Sequence, residues 1–277
     1  MKERFRLWSR AQDASPPRIA AAKAPRAAAI SSASRRPALP RGVRIYAVGD
    51  IHGCVDALDA LLIRIANDVK SSPIRNWRIV TLGDYLDRGP SSREVVERLI
   101  KLNELNCLIA LKGNHDVWLD TFIANPETFR EWEPWGASAT LVSYGLDLVS
   151  LGAPDRCAAL AAEFARVLPR EHADFLRNLR NHYVCGDYLF VHAGLRPRVA
   201  LRDQKEADLI GIRQDFLRHN GAFEKFVIHG HTPVEAPDVH KHRINIDTGA
   251  YATNRLTCLV LEGAARRFLF SDTPLPD

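Results

Sequence analysis

Gly83-Asp84-Tyr85-Leu86-Asp87-Arg88-Gly89 follows directly on Trp77–Leu82, an apolar, β-branched run of strand length. Two carboxylates and a guanidinium therefore leave the end of a strand through a turn opened and closed by glycine. The arrangement recurs on both sides. Upstream, Val43–Val48 runs into Gly49-Asp50-Ile51-His52-Gly53. Downstream, Cys107–Leu111 runs into Gly113-Asn114-His115-Asp116. Between them, Val55–Val69 carries Leu58, Leu61, Leu62, Ile65 and Val69 at helical spacing, and Ser91–Leu102 reads as a second helix with Ser92 as its cap. Asp116–Ile123 opens a third. Strands alternating with helices predict βαβ units and parallel pairing, with ligands at the carboxyl ends of the strands. All three motifs fall at such ends.

Residues 125–182 break this rhythm. They hold several prolines, Trp132, Trp135 and a helical stretch at Ala158–Arg166, and read as an insertion beside the site in which the two tryptophans either pack or form a substrate platform, packing being the commoner role. Short strand-like runs follow at Tyr188–Val191, Phe226–Ile228, Ile244–Ile246, Leu256–Leu261 and Arg267–Phe270, which suggests a second, more antiparallel sheet. Val191-His192-Ala193-Gly194 and Gly230-His231-Thr232 place two more histidines after such runs. His229 also follows one, but the Gly-His-Thr context favours His231. His240 and His242, beside Lys241 and Arg243, read as surface; His172, His182 and His219 have no motif around them.

Asp, His and Asn make a mixed oxygen and nitrogen donor set. No cysteine stands at a ligand position, which argues against structural zinc and for a catalytic site suited to manganese, iron or zinc. On an extended strand end, Asp50 and His52 point to one side and can bind one ion together. The two oxygens of Asp84 can bridge to a second ion, which Asn114, His192 and His231 could complete. Bridged ions lie roughly 3.5–4 Å apart and hold a water between them, with its pKa lowered towards neutrality. Arg88 matches phosphate oxygens with a planar fork. His115, next to Asn114, could protonate a departing oxygen, and Asp87 could orient that imidazole.

In this order, GDIHG, GDYLDRG and GNHD, then VHAGL and GHTP, resemble the phosphoprotein phosphatase family of metallophosphoesterases. The likeness covers roughly residues 43–265 and is strongest to bacterial and phage members, among them lambda-type serine/threonine protein phosphatases and symmetrical dinucleoside tetraphosphatases. It implies an α/β fold, a four-layer α/β/β/α sandwich of two mixed sheets with a helical insertion and two divalent metals at the sheet edge. It implies Asp50, His52 and Asp84 on one ion, and Asp84, Asn114, His192 and His231 on the other. His115 with Asp87 would be the acid pair. Arg88 would clamp phosphate together with Asn114 and a second arginine, for which Arg213 in Ile212-Arg213-Gln214-Asp215-Phe216 fits best. Asp116 stands where the family usually has Glu. Asn245-Ile246-Asp247-Thr248-Gly249-Ala250 resembles the closing turn by the site, with Thr253-Asn254 in place of a glycine-richer stretch.

The resemblance implies a phosphomonoesterase that hydrolyses phosphoserine and phosphothreonine in proteins, with manganese the first choice of metal. The alternative keeps the metal core and takes a dinucleoside tetraphosphate, cleaved symmetrically, or another phosphoanhydride or diester. A third reading, of a different class, makes the chain a binding protein tethered to nucleic acid or an anionic membrane.

Composition bears on that third reading. The formal charge of +5 over 277 residues is unevenly placed. Residues 1–44 carry eleven Lys/Arg and two acids, whereas the rest is net acidic. Residues 1–42, rich in Ala, Pro and Arg, cannot bury enough apolar surface to offset their ordering entropy, and read as a disordered basic arm ahead of a domain over 43–277. The arm is either a contact for acidic surfaces, a targeting peptide or a dispensable extension. Five scattered cysteines without a CxxC pair read as reduced cytoplasmic thiols. No apolar run approaches the ~20 residues needed to cross a bilayer.

Overall fold

Val43–Val48 (β1) is almost wholly buried, as expected of a strand covered on both faces. In the computed structural model, which describes residues 36–148 and 156–272, β1 is the centre of a five-stranded sheet. It pairs in parallel with β2 (Asn76–Thr81), and β2 pairs in parallel with β3 (Leu108–Ala110). Helices Val55–Lys70 and Ser92–Glu104 form the crossovers. The second sheet runs β4 (His182–Cys185), β5 (Tyr188–Val191), β6 (Phe226–His229), β8 (Arg243–Asn245), β7 (Asp238–Val239).

The alternation of side chains along the strands separates three cores. Tyr46 and Val48 face the helices, among Leu58, Leu61, Ile65 and Leu99. Ile45 and Ala47 face the other way and meet Phe190, Ile228 and Ile244 of the second sheet. Val191 and Val227 point outward beneath the short helices Glu206–Gly211 and Gln214–Leu217, packing on Leu209 and Phe216. Helices, sheet, sheet and helices give the four layers that the family resemblance implies.

The grouping of the last strands differs from expectation. β9 (Thr257–Glu262) and β10 (Ala265–Phe270) do not join the second sheet. They return to the first, β9 lying antiparallel on the free side of β1 with Ile45 opposite Leu261. Periodicity fixes which face of a strand is buried, not which neighbour it pairs with. The second sheet is itself mixed, with β5, β6 and β8 parallel and antiparallel pairs only at its ends. The two strands without a clear apolar run in the sequence, β4 and β7, are short edge strands. The Ser92 cap is also displaced: Ser91 is the cap residue, and the Ser92 hydroxyl instead accepts a bond from the Asp87 N–H at 3.1 Å.

The insertion belongs to the first core. Its helices Ala137–Ser143, Arg156–Val167 and Arg170–Arg177 join Trp118–Ala124 in burying Phe122, Trp132, Leu141, Tyr144 and Phe164 with the crossover helices. Most of the basic arm, residues 1–35, lies outside the described residues. Its last residues are fastened to the domain. Leu39 is buried and its N–H donates to the Gly263 carbonyl at 2.8 Å, the Ala38 N–H donates to Asp187, and the Tyr188 hydroxyl donates to the Pro37 carbonyl. Among the described residues no helix is long and apolar enough to cross a membrane.

Candidate active site

The topology sends the carboxyl ends of β1, β2 and β3 and those of β5 and β6 to one edge of the sandwich. Asp50, Asp84, Asn114, His192 and His231 each follow one of these ends. The tight entry to β3's motif depends on glycine: a Cβ at Gly113 would lie 2.1 Å from Asp84 Oδ1. Asp84, Asp87, Arg88, His52 and His231 all have positive φ, an uncommon backbone state for non-glycine residues that is concentrated here.

Asp84 stands at the middle. Its Oδ2 faces His52 Nε2 at 3.4 Å and its Oδ1 faces His192 Nε2 at 3.4 Å. His192 Nε2 also lies 3.1 Å from Asn114 Oδ1 and 3.2 Å from His231 Nδ1. Two sets of three donors, His52 with Asp84 and His115, and Asp84 with His192 and His231, fit within the reach of a metal ion.

The tautomers matter. His52 Nδ1 donates to the Leu86 carbonyl at 2.8 Å and His192 Nδ1 to the Leu82 carbonyl at 2.9 Å. Burial, their foremost influence, pushes His52 and His231 down to about 3 and lowers His192, so all three are neutral near pH 7. Each Nε2 of His52 and His192 then presents a lone pair to a carboxylate oxygen. That is repulsive unless a cation lies among them. Asp50 Oδ1 and His231 Nε2 are buried and have no hydrogen-bond partner among the described residues. Burial, followed by neighbouring carboxylates, raises Asp50 well above its usual range, pushes Asp116 to about 7 and Asp247 to about 6. Converging acceptors, neutral imidazoles and crowded carboxylates fit divalent cations.

Asp50 is placed differently from the sequence expectation. His52, at φ 46°, has left the extended conformation, so Asp50 and His52 do not simply share one side of a strand. Asp50 Oδ2 instead accepts the His231 N–H at 2.9 Å, tying the end of β1 to that of β6. His229 points elsewhere: its ring stands edge-on to Phe216 and its Nε2 lies 3.4 Å from Arg243. Asp116 fills the position usually held by Glu. Its carboxylate accepts N–H bonds from Asp84, Tyr85 and Gly113, each at 2.8 Å, and so fixes both turns.

His115 Nδ1 donates to Asp87 Oδ2 at 2.7 Å, leaving Nε2 3.9 Å from Asp84 and 3.3 Å from Arg88 Nη2. Burial opposes charging this imidazole, but Asp84 and Asp87 outweigh it and raise its pKa. Arg88 lies over the Tyr251 ring at 4.5 Å. Arg213 is exposed just before the Gln214–Leu217 helix, near enough for its charge to act on His192 and His231.

Trp132, Thr140 and Tyr251 stand at the site with no motif to announce them. Asp87 also accepts from Trp132 Nε1 at 2.8 Å and from the Thr140 hydroxyl at 2.6 Å. Trp132 does pack, as expected, but its indole N–H is spent on Asp87, the partner of His115. Asp247 and Tyr251 come from the closing turn, where Asn254, at φ 54°, supplies the left-handed residue that a glycine would otherwise provide.

The ionisation pattern has a consequence for stability. His52, His231 and His229, pushed to about 3, and His172, lowered by burial, all favour the neutral form when folded. The unfolded chain binds more protons below the usual histidine value of ~6.5, so these groups stabilise the fold above that pH and less as pH falls. Asp50, Asp116 and Asp247 act oppositely, losing stability as pH rises through their raised values, unless a cation neutralises them. The melting temperature of manganese-loaded protein should therefore climb from pH 5 to pH 7, and that of chelator-stripped protein should climb less. Parallel profiles in calorimetry would contradict this.

The model for the calcineurin-like phosphoesterase family matches residues 43–261. The asymmetrical bis(5'-nucleosyl)-tetraphosphatase PrpE of Oceanobacillus iheyensis is 28% identical over 233 residues, covering 78% of this chain and 87% of its own. The symmetrical bis(5'-nucleosyl)-tetraphosphatase of Dechloromonas aromatica is 37% identical over 153 residues, covering 55% of this chain and 44% of its own. A solved chain proposed to be a diadenosine tetraphosphatase superposes with a TM-score of 0.55 at 20% identity, over 82% of this chain and 93% of that one, a likeness of fold.

Proposed function

The chain belongs to the calcineurin-like phosphoesterase family, and from that premise we propose that it hydrolyses dinucleoside tetraphosphates at a centre of two divalent metals, cleaving them asymmetrically. It is a metal-dependent phosphoesterase. The observation that carries the site assignment is the split of the Asp84 carboxylate, one oxygen towards His52 and the other towards His192. On this reading Asp50, His52 and Asp84 hold one ion, and Asp84, Asn114, His192 and His231 the other. Oxygen and imidazole donors favour manganese, with iron or zinc as substitutes. When bound, the metals supply Lewis acidity and an activated water.

The chain's own residues do the rest. The Arg88 fork binds non-bridging phosphate oxygens, with Arg213 approaching from the other rim. Tyr251 beneath the Arg88 guanidinium limits its rotamers. His115 hands its Nε2 proton to the oxygen that leaves phosphorus as the P–O bond breaks, while Asp87 keeps Nδ1–H in place. Trp132 and Thr140 hold Asp87. Water adds to phosphorus, and no phosphorylated residue is required.

The phosphoserine and phosphothreonine reading rests on motifs common to both substrate classes. The name carried by a relative spanning most of this chain supports the dinucleotide instead. Greater coverage by the asymmetrical than the symmetrical relative supports cleavage into a nucleoside triphosphate and a monophosphate. The basic arm supports at most contact with anionic surfaces, and the site does not depend on it. The test is turnover of diadenosine tetraphosphate and of a phosphoserine peptide by purified, manganese-supplied protein, with products resolved by chromatography. ATP with AMP is the expected product pair, abolished by chelation and restored by manganese. Two molecules of ADP would make cleavage symmetrical, and turnover confined to the peptide would overturn the proposal.

A further inference from the structure

We propose that Trp135 is a stacking platform for the nucleobase on the leaving side of the scissile phosphate, and so determines the preference for nucleotide substrates; the proposal rests on the function inferred above. The insertion that carries Trp135 is fastened to the acid pair on both sides of it. Before it, Trp132 donates to Asp87 at 2.8 Å; after it, Thr140 exchanges bonds with Asp87, accepting from its N–H at 2.8 Å and donating to its carboxylate at 2.6 Å. Between them Gly136, at φ 108°, lies so close to Arg88 that a Cβ there would stand 2.5 Å from the Arg88 backbone nitrogen. Trp135 is thus delivered to one place, immediately beside Arg88 and His115.

Single exposed apolar side chains are ordinary. Position distinguishes this one. Among the described residues, the exposed large hydrophobics include two aromatics, Trp135 at 45% and Tyr251 at 40% exposure, and both rings stand edge-on to a site histidine. Trp135 lies 6.0 Å from the His115 ring and Tyr251 lies 5.4 Å from the His52 ring. Tyr251 already has the Arg88 guanidinium on its face. Trp135 meets His115 at 82°, edge to face, and among the described residues no cation lies over its own face. An oxygen protonated by His115 Nε2 is released beside the imidazole, whose ring centre lies 6.0 Å from that of the indole. If it belongs to a nucleotide, the attached base is carried past His115 to the indole. Every base offers a π-face, so such a platform selects nucleotides without selecting a sequence.

The experiment compares inhibition by AMP and by ribose 5-phosphate, which differ only in the base, against whichever phosphate ester the wild-type enzyme turns over. Wild type should bind AMP roughly tenfold tighter or more, the size of one base–aromatic stack. In Trp135→Ala the ratio should fall to near one, and Trp135→Phe should restore most of it. The kcat/KM of diadenosine tetraphosphate relative to inorganic tripolyphosphate should fall with the same variant. Equal inhibition by the two ligands in wild type, or a ratio unchanged in Trp135→Ala, overturns the platform. If diadenosine tetraphosphate is not turned over while AMP selectivity exists and needs Trp135, the tetraphosphatase reading fails and the platform stands.

Discussion

Asp84→Asn is expected to lower kcat by about a thousandfold or more, since the metals' stabilisation of the transition state amounts to several kcal/mol and rests here on one shared side chain. Each Asp84 oxygen meets a different histidine at the same 3.4 Å. The substitution is nearly isosteric, and its amide oxygen can still accept the His115 N–H that Asp84 Oδ1 accepts at 3.0 Å. It removes the charge and replaces one ligand oxygen by a nitrogen whose hydrogens repel a cation. Loss of activity should therefore accompany loss of bound metal while the circular dichroism spectrum is retained. Substitution of Asp116, which also lies buried at the site but among the described residues bonds to backbone N–H groups alone, should leave metal content much nearer normal. Near-normal turnover in Asp84→Asn would remove the basis of the two-metal assignment.

The contrast between these carboxylates shows what the chain discloses by itself. Asp50, Asp84 and Asn114 are legible because each ends a strand in a glycine-bounded turn, and the parallel order of β1, β2 and β3 then brings them to one edge. His192 and His231 are legible by the same rule on the second sheet. A turn stands where alternation presupposes a strand. His52 was placed by period-2 alternation, but its φ of 46° makes alternation meaningless beyond Val48, and Asp50 is aimed at the backbone of His231 instead. Strand partnership was illegible for another reason. Leu256–Leu261 has the alternation that any buried strand needs, and only the chain's return to the free side of β1 assigns it to the first sheet.

The insertion was the least readable segment, because its contribution comes through single polar atoms on otherwise apolar residues. Trp132 is buried as its composition suggests, yet one N–H at 2.8 Å makes it a support for Asp87. Thr140 lies within a seven-residue helix that no motif marks, and its hydroxyl reaches the same carboxylate. Neither bond has a sequence signature, since the partners are 45 and 53 residues apart in the chain. The proximity of Asp87 and His115 is visible in the motifs; what stiffens their contact is not.

His115→Asn is expected to lower kcat by roughly 10²–10⁴, the range for removal of a general acid, with the smaller loss for the better leaving group. A phosphoanhydride expels a phosphate oxygen that is only weakly basic, whereas an alkyl phosphate expels an alkoxide. Diadenosine tetraphosphate should therefore lie at the low end and an alkyl phosphate at the high end in the same variant. A ligand role for His115 would instead depress both alike and lower metal content. The pH dependence sharpens the distinction. The general acid must carry its proton, so activity falls as pH rises through the His115 pKa, which Asp84 and Asp87 raise against the effect of burial. Asp87→Asn removes one of those two carboxylates at the 2.7 Å hydrogen bond. The alkaline limb of the kcat profile should then move to lower pH, with metal content preserved because Asp87 touches the histidine and not the ligand cluster. An alkaline limb that stays in place in Asp87→Asn would mean that another group delivers the proton.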